Sequence, residues 1–324
     1  MQNHCRQFYI YDLEISSRKE GASIPTMGDL LIIFQKMKDE GRIYSIRADT
    51  ATMLIGDIDV DADQQFTTLL IRLSDKTAPN SVTSNPKAQI FNVHTKGPDQ
   101  GADFGCHVLI STTQQRNFPN IYTCVIERVS GIPASLVQRL LSKLLNYEFH
   151  DDATSFSYPH PGGGLTRQGL PRMERCCPYV ELRGRPSDTL ISDINNGHIT
   201  GISLVKAEGI TPVAGAAFLK KKESELRLQI DYKNIPKNLW QSLRQTFQAN
   251  AGIYGVAKVS YKIPGNDRSV TVKIDSNTGN PLDEMYVKSF DIKNIFPLLD
   301  HSTIQIVAHL RDRVIPEFLA NRTI

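Results

Sequence analysis

The apolar residues of this chain follow two rhythms, and their alternation restricts the fold more than any other feature. Phe8-Tyr9-Ile10-Tyr11-Asp12-Leu13-Glu14-Ile15 and Phe66-Thr67-Thr68-Leu69-Leu70-Ile71-Arg72-Leu73 are rich in aromatic and branched side chains and predict strands. Further strands are predicted at 43–47, 52–60, 107–111 and 122–129. Against these, Leu136, Val137, Leu140, Leu141, Leu144 and Leu145 recur at helical spacing behind Pro133. Thr26, with Asp29 in the first turn, caps an earlier helix that Gly41 stops.

After Tyr147 both rhythms break. From His150 to Arg185 the chain carries Pro159, Pro161, Gly162-Gly163-Gly164, Gly169, Pro171, Pro178 and Gly184, the composition of an irregular connector. Strands at 199–206 and 219–232, a helix at 236–250, a hairpin at 256–274, a strand at 285–292 and a last helix from Ser302 follow. Leu239, Trp240, Leu243 and Phe247 fall on one face of the middle helix, and Pro316 is expected to kink or end the last one. The predicted fold class is α+β, with two domains, each a mostly antiparallel sheet packed with helices. The N-terminal domain is expected at 1–149, the connector at 150–190 and a basic C-terminal domain at 191–324.

A length of 324 residues, with 40% hydrophobic and 22% charged residues, is ordinary for a globular protein of two domains. No run approaches the roughly 18 apolar residues of a membrane span, and the first residues lack the profile of a signal peptide, so a cytoplasmic location is expected. The five cysteines show no repeated spacing and are read as free thiols.

The net charge of +3 hides a polarity. Up to Leu165 there are 15 basic and 18 acidic residues, whereas residues 166–275 alone hold 17 basic and 10 acidic ones. If residues 264–267 form the hairpin turn, Lys258 faces Lys273 across the ladder, and Lys262 lies on the same face, opposite the apolar one. Like charges opposed on a sheet repel, which an anion would relieve. Lys220, Lys221, Lys222, Arg227 and Lys233, with Lys237 and Arg244 on the helix, add to this basic surface. In the connector, Arg167, Arg172 and Arg175 offer the planar fork that suits phosphate. Phosphate backbones are the partner such a surface fits, because each neutralised phosphate releases counterions.

The signs of catalysis are sparse. Asp57, Asp59, Asp61 and Asp63 alternate, which places four carboxylates on one side of an extended chain, as for a divalent cation. Ala62 and Thr68 stand where a calcium loop needs glycine and glutamate. His150, His160, Cys176 and Cys177 match no zinc spacing, and Glu127 at a strand end reads as a paired acid. No catalytic residue, metal or cofactor is singled out, and enzyme activity is left open.

The opening Phe8-Tyr9-Ile10-Tyr11 strand, the early helix, the successive hairpin strands, and a basic second half running from Leu226-Arg227-Leu228-Gln229-Ile230 to a hairpin and terminal helix together resemble the Rex A-type phage-exclusion proteins. More loosely, they are similar to other bacterial antiphage-defence proteins. This chain departs from that pattern in much of its 76–105 and 150–185 segments. The resemblance implies sequence-tolerant binding of double-stranded DNA by a homodimer that signals to a partner protein. Two alternatives stand beside it: a metal-dependent nuclease using Asp57, Asp59, Asp61 and Asp63, and a protein-interaction module that inhibits a nucleic-acid machine through the 76–105 loop.

Overall fold

Residues 3–61, 63, 65–116, 118–213, 216–263 and 269–322 are described by the computed structural model, with side chains described in all of these except 209–221. In chain order the elements begin with β1 (Cys5–Ser16), α1 (Met27–Asp39), β2 (Tyr44–Ile46), β3 (Ala51–Val60) and β4 (Phe66–Asp75). They continue with β5 (Ser81–Asn85), β6 (Ile90–His94), β7 (Ala102–Ser111), β8 (Ile121–Glu127) and α2 (Ala134–Asp151). Next come β9 (Ser157–Pro159), β10 (Met173–Arg175), β11 (Tyr179–Gly184), α3 (Asp188–Asn196), β12 (His198–Val213) and β13 (Ala216–Leu228). The last are α4 (Leu239–Asn250), β14 (Val256–Lys262), β15 (Ser269–Asp275), β16 (Ser289–Lys293) and α5 (Ala308–Asn321). Helices and antiparallel sheets together give the α+β class.

Two compact units result. One comprises Met1–Leu182 together with Phe290–Ile324, and the other Arg183–Ser289. The first is built on an eight-stranded sheet in the order β11-β1-β8-β7-β4-β3-β2, with β16 also pairing β1. Leu69, Leu70 and Ile71 of β4 are buried in succession, the mark of a strand covered on both faces. On one face, the amide of Met27 at the start of α1 donates to the Tyr122 hydroxyl of β8. On the opposite face, Val125 of β8 joins Phe8, Ile10, Phe66 and Leu109 in a cluster with Leu310, Val314 and Phe318 of α5.

The second unit is a four-stranded antiparallel sheet, β13-β12-β14-β15. Leu190 and Ile194 of α3 and Leu239, Trp240, Leu243 and Phe247 of α4 bury Leu204, Ala257, Val259, Tyr261, Val272 and Ile274 of the sheet. The α4 face is the one its sequence periodicity predicts.

Several expectations change. The 150–190 segment is not an irregular connector throughout. It forms the β9–β10 hairpin, adds β11 to the large sheet and starts α3, whose N-cap Ser187 accepts from the Leu190 amide. The last helix does not belong with the basic domain, because its apolar face completes the core of the first unit. Pro316 neither ends that helix nor separates it from the core, since Val314 and Phe318 on either side are fully buried. The 76–105 segment is not a bare loop, because β5 and β6 pair within it. The hairpin turn expected at 264–267 lies outside the described residues. Among the described residues, no helix is long and apolar enough to cross a membrane.

Candidate nucleic-acid interface

Strand register decides which basic side chains share a face. Ser203 of β12 pairs with Arg227 on one side and Lys258 on the other, and Lys258 pairs with Lys273. Directly paired residues point the same way, so Arg227, Lys258 and Lys273 form one row across the sheet, on the face opposite α3 and α4. Lys262, paired with Ser269, lies on the same face, as does the Ser260–Thr271 pair, whose hydroxyls are 2.8 Å apart. The opposition of Lys258 and Lys273 follows the pairing read from the sequence.

Acidic neighbours temper this face. Glu225 and Glu223 lie 3.8 and 4.0 Å from the Lys258 ammonium. Ser203 donates its hydroxyl to Glu225. That hydrogen bond, with lesser help from the charges of Lys258 and Arg227, holds the Glu225 carboxyl below its ordinary range. Lys273 is exposed and has no ion-pair partner among the described residues. Beyond Val205, where β14 stops pairing, β12 and β13 continue as a two-stranded ribbon to the Val213–Ala216 pair. Lys220 and Lys221 belong to that ribbon by backbone register, and their side chains lie outside the description. Lys222 is exposed and alternates away from the Arg227 face.

The remaining predicted residues are not brought to this row. Lys237 is exposed just before α4, and Arg244 lies on α4, hence in the helical layer on the other side of the sheet. Arg244 donates through Nε to the Thr278 carbonyl at 3.0 Å and packs over Gly279. That glycine has φ +70°, and a Cβ there would lie 2.2 Å from Arg244 Cγ, so the arginine clamps a turn that only glycine can make. Lys233 is exposed in a single helical turn, Tyr232–Asn234. Arg167, Arg172 and Arg175 belong to the first unit. The first two are exposed on the hairpin that β9 and β10 begin. Arg175 instead donates through Nε to Ser155 O at 3.1 Å and through its terminal nitrogen to the carbonyls of Phe149 and Asp152, closing the end of α2.

The first two carboxylates of the acidic run are held in structural contacts. A bulge between Ile55 and Asp57 shifts the register of β3. Asp57 lies 3.5 Å from Lys38 and accepts the Ile306 amide at 3.0 Å, while Asp59 is paired with Arg311. Among the described residues no group of three or more His, Cys, Asp or Glu is placed to hold a metal ion.

A buried cluster was only partly foreseen. Glu127 is paired, as its position at a strand end suggested, with Arg6 Nε at 2.8 Å and His107 Nδ1 at 2.7 Å. The Val307 amide donates to His107 Nε2 at 3.1 Å, so Nδ1 carries the proton given to Glu127, and neither ring nitrogen is left for catalysis. These three residues join β1, β7 and β8 to the returning C-terminal segment. Burial, then the Glu127 charge, raises the neighbouring Cys106 thiol well above its usual range, and all five cysteines are free. Comparison with protein-family models, with curated proteins and with solved structures finds no match to this chain.

Proposed function

We propose that the protein binds duplex DNA without regard to sequence, through the face of the second unit that α3 and α4 leave open. The supporting observation is the single row of Arg227, Lys258 and Lys273, with Lys262 on the same face. Cations spaced along one ladder meet phosphates as point charges, while Ser260 and Thr271 add neutral donors suited to backbone oxygens. The β12–β13 ribbon, extending past β14, lengthens the same contact, as paired strands do in β-ribbon DNA binders. This reading agrees with a role in phage exclusion of the kind that the Rex A-type resemblance implies.

The test is a salt titration with two unrelated duplexes. Affinity is expected to fall steeply and equally for both as salt rises, and Lys258→Glu, Lys262→Glu and Lys273→Glu together are expected to weaken both by about tenfold or more. Binding that ignores salt, or that the triple substitution leaves unchanged, would overturn the proposal. The nuclease alternative gains nothing from the structure, because Asp57 and Asp59 already face Lys38, Arg311 and a backbone amide.

A further inference from the structure

The first unit contains a cleft of about 690 Å³ between α2, the chain following β1 and the segment 175–180. Its charged lining is of one sign: Arg18, Lys19, Arg139, Lys143 and Arg175 border it, and among the described residues no Asp or Glu does. Four of these five cations come from the part of the sequence, up to Leu165, in which acidic residues outnumber basic ones.

Two of the five cations have other partners. Lys19 lies 3.3 Å from Glu174, whose hydrogen bond and charge raise the ammonium's pKa, and Arg175 closes the end of α2. The other three have no carboxylate partner among the described residues. The Arg18 guanidinium lies 5.9 Å from the centre of the Tyr179 ring. Lys143 lies 4.8 Å from that of Tyr147 and 3.4 Å from Asn146 Oδ1. Arg139 is exposed and has no such contact. Arg139 and Lys143 stand four residues apart on one face of α2, where like charges repel, and no acidic side chain at the cleft offsets them. An anion seated between them would remove that repulsion.

The wall opposite α2 is held in place by the helix itself. Gln138 accepts the Leu182 amide at 2.9 Å, and Ser142 Oγ accepts the Val180 amide at 3.0 Å. The cleft is therefore formed before any ligand arrives, and its size is that of a site for a small molecule rather than a duplex. Tyr44, Phe149 and Tyr179 add aromatic surface beside the cations.

We infer that this cleft binds a phosphorylated small molecule of nucleotide size, its phosphates between Arg18, Arg139 and Lys143. Arginine forks and a lysine point charge are the usual partners of phosphate oxygens, and aromatic rings suit a planar base. The site lies in a different unit from the proposed DNA surface and stands independently of it.

Calorimetric titration of the full chain with ATP, and separately with tripolyphosphate, tests the inference. ATP is expected to bind in low salt, and Arg139→Ala with Lys143→Ala to lower its affinity by about tenfold or more, two charge-assisted contacts being lost. Arg139 is exposed and Lys143 half-buried on α2, and an unchanged melting curve confirms that the variant is folded. Lys273→Glu is expected to leave ATP binding unaltered. A second measurement follows Cys177, which borders the cleft. Bound ATP is expected to slow its alkylation, read by mass spectrometry. Equal binding of tripolyphosphate supports phosphate recognition and assigns the base no part, whereas tighter binding of ATP identifies a nucleotide. No heat at millimolar ATP, or equal ATP binding by the Arg139 and Lys143 variant, would overturn the inference.

Discussion

Lys258 shows why a count of basic residues is a poor guide to a binding surface. Its ammonium lies within ion-pair distance of both Glu223 and Glu225, so part of its charge is already satisfied, whereas Lys273 across the ladder has no such partner among the described residues. Removing one of the competing acids should therefore strengthen phosphate binding. Glu225→Gln keeps a hydrogen-bond acceptor for Ser203, removes the negative charge, and is expected to raise affinity for duplex DNA by about two- to fivefold in low salt, measured by fluorescence anisotropy. The wild-type protein should not gain the same effect from mild acid. The Ser203 hydroxyl, with Lys258 and Arg227, holds the Glu225 carboxyl below its normal range, so its charge persists until the pH falls beneath the usual carboxylate titration. The facing of Lys258 and Lys273 could be read from the sequence, because period-two alternation and one turn set the register. The two glutamates could not, because they lie on a strand more than thirty residues earlier and only the β12–β13 and β12–β14 pairings bring them there. The same limit applied to Glu127, whose pairing was foreseen but whose partners, Arg6 and His107, come from two other strands.

Elements with strong local chemistry were the most legible. Thr26 accepts the Asp29 amide at 3.3 Å while Asp29 accepts the Thr26 amide at 2.8 Å, a reciprocal cap that a Thr followed three residues later by an acid announces. Thr26→Ala is expected to destabilise the protein by about 0.5–2 kcal/mol, seen as a lower urea midpoint with an unchanged slope. The α4 stripe and the β14–β15 register were legible for the same reason, since each depends on neighbours a few residues away. By contrast β9, β10 and β11 are short and lie among prolines and glycines, so their local signal is that of a loop. Two of them become strands by pairing with each other, and β11 by joining β1. Arg139 and Lys143 did leave a signal, a like-charged pair four apart on one helix, but its meaning depends on the absence of acids across the cleft, which is a fact of packing.

For the whole molecule, the largest revision concerns α5. Read along the chain, it closes the basic half. In the structure Leu310, Val314 and Phe318 are fully buried against strands near the N-terminus, so the first unit is completed by the last residues. Each such side chain contributes about 1.5–3 kcal/mol by burial, and three together approach the total stability of about 5–15 kcal/mol typical of a domain. A chain ending at Ile306 is therefore expected to lose cooperative unfolding of the first unit, with a collapsed near-ultraviolet circular dichroism signal and rapid proteolysis between β1 and β8. If the truncated chain keeps a cooperative melt and resists protease, that account of α5 fails. By itself the sequence determined the class of fold, most strands and helices, the apolar faces and the charge asymmetry, because these arise from periodicity, capping and turn chemistry within a few residues. Only the tertiary structure decided that the basic unit is inserted between β11 and β16, which lysines share a face, which of them acids already hold, and that a cation-lined cleft forms in the first unit. Each of these depends on contacts between residues far apart in the chain, whose closure is driven by burial and ladder pairing rather than by local preference.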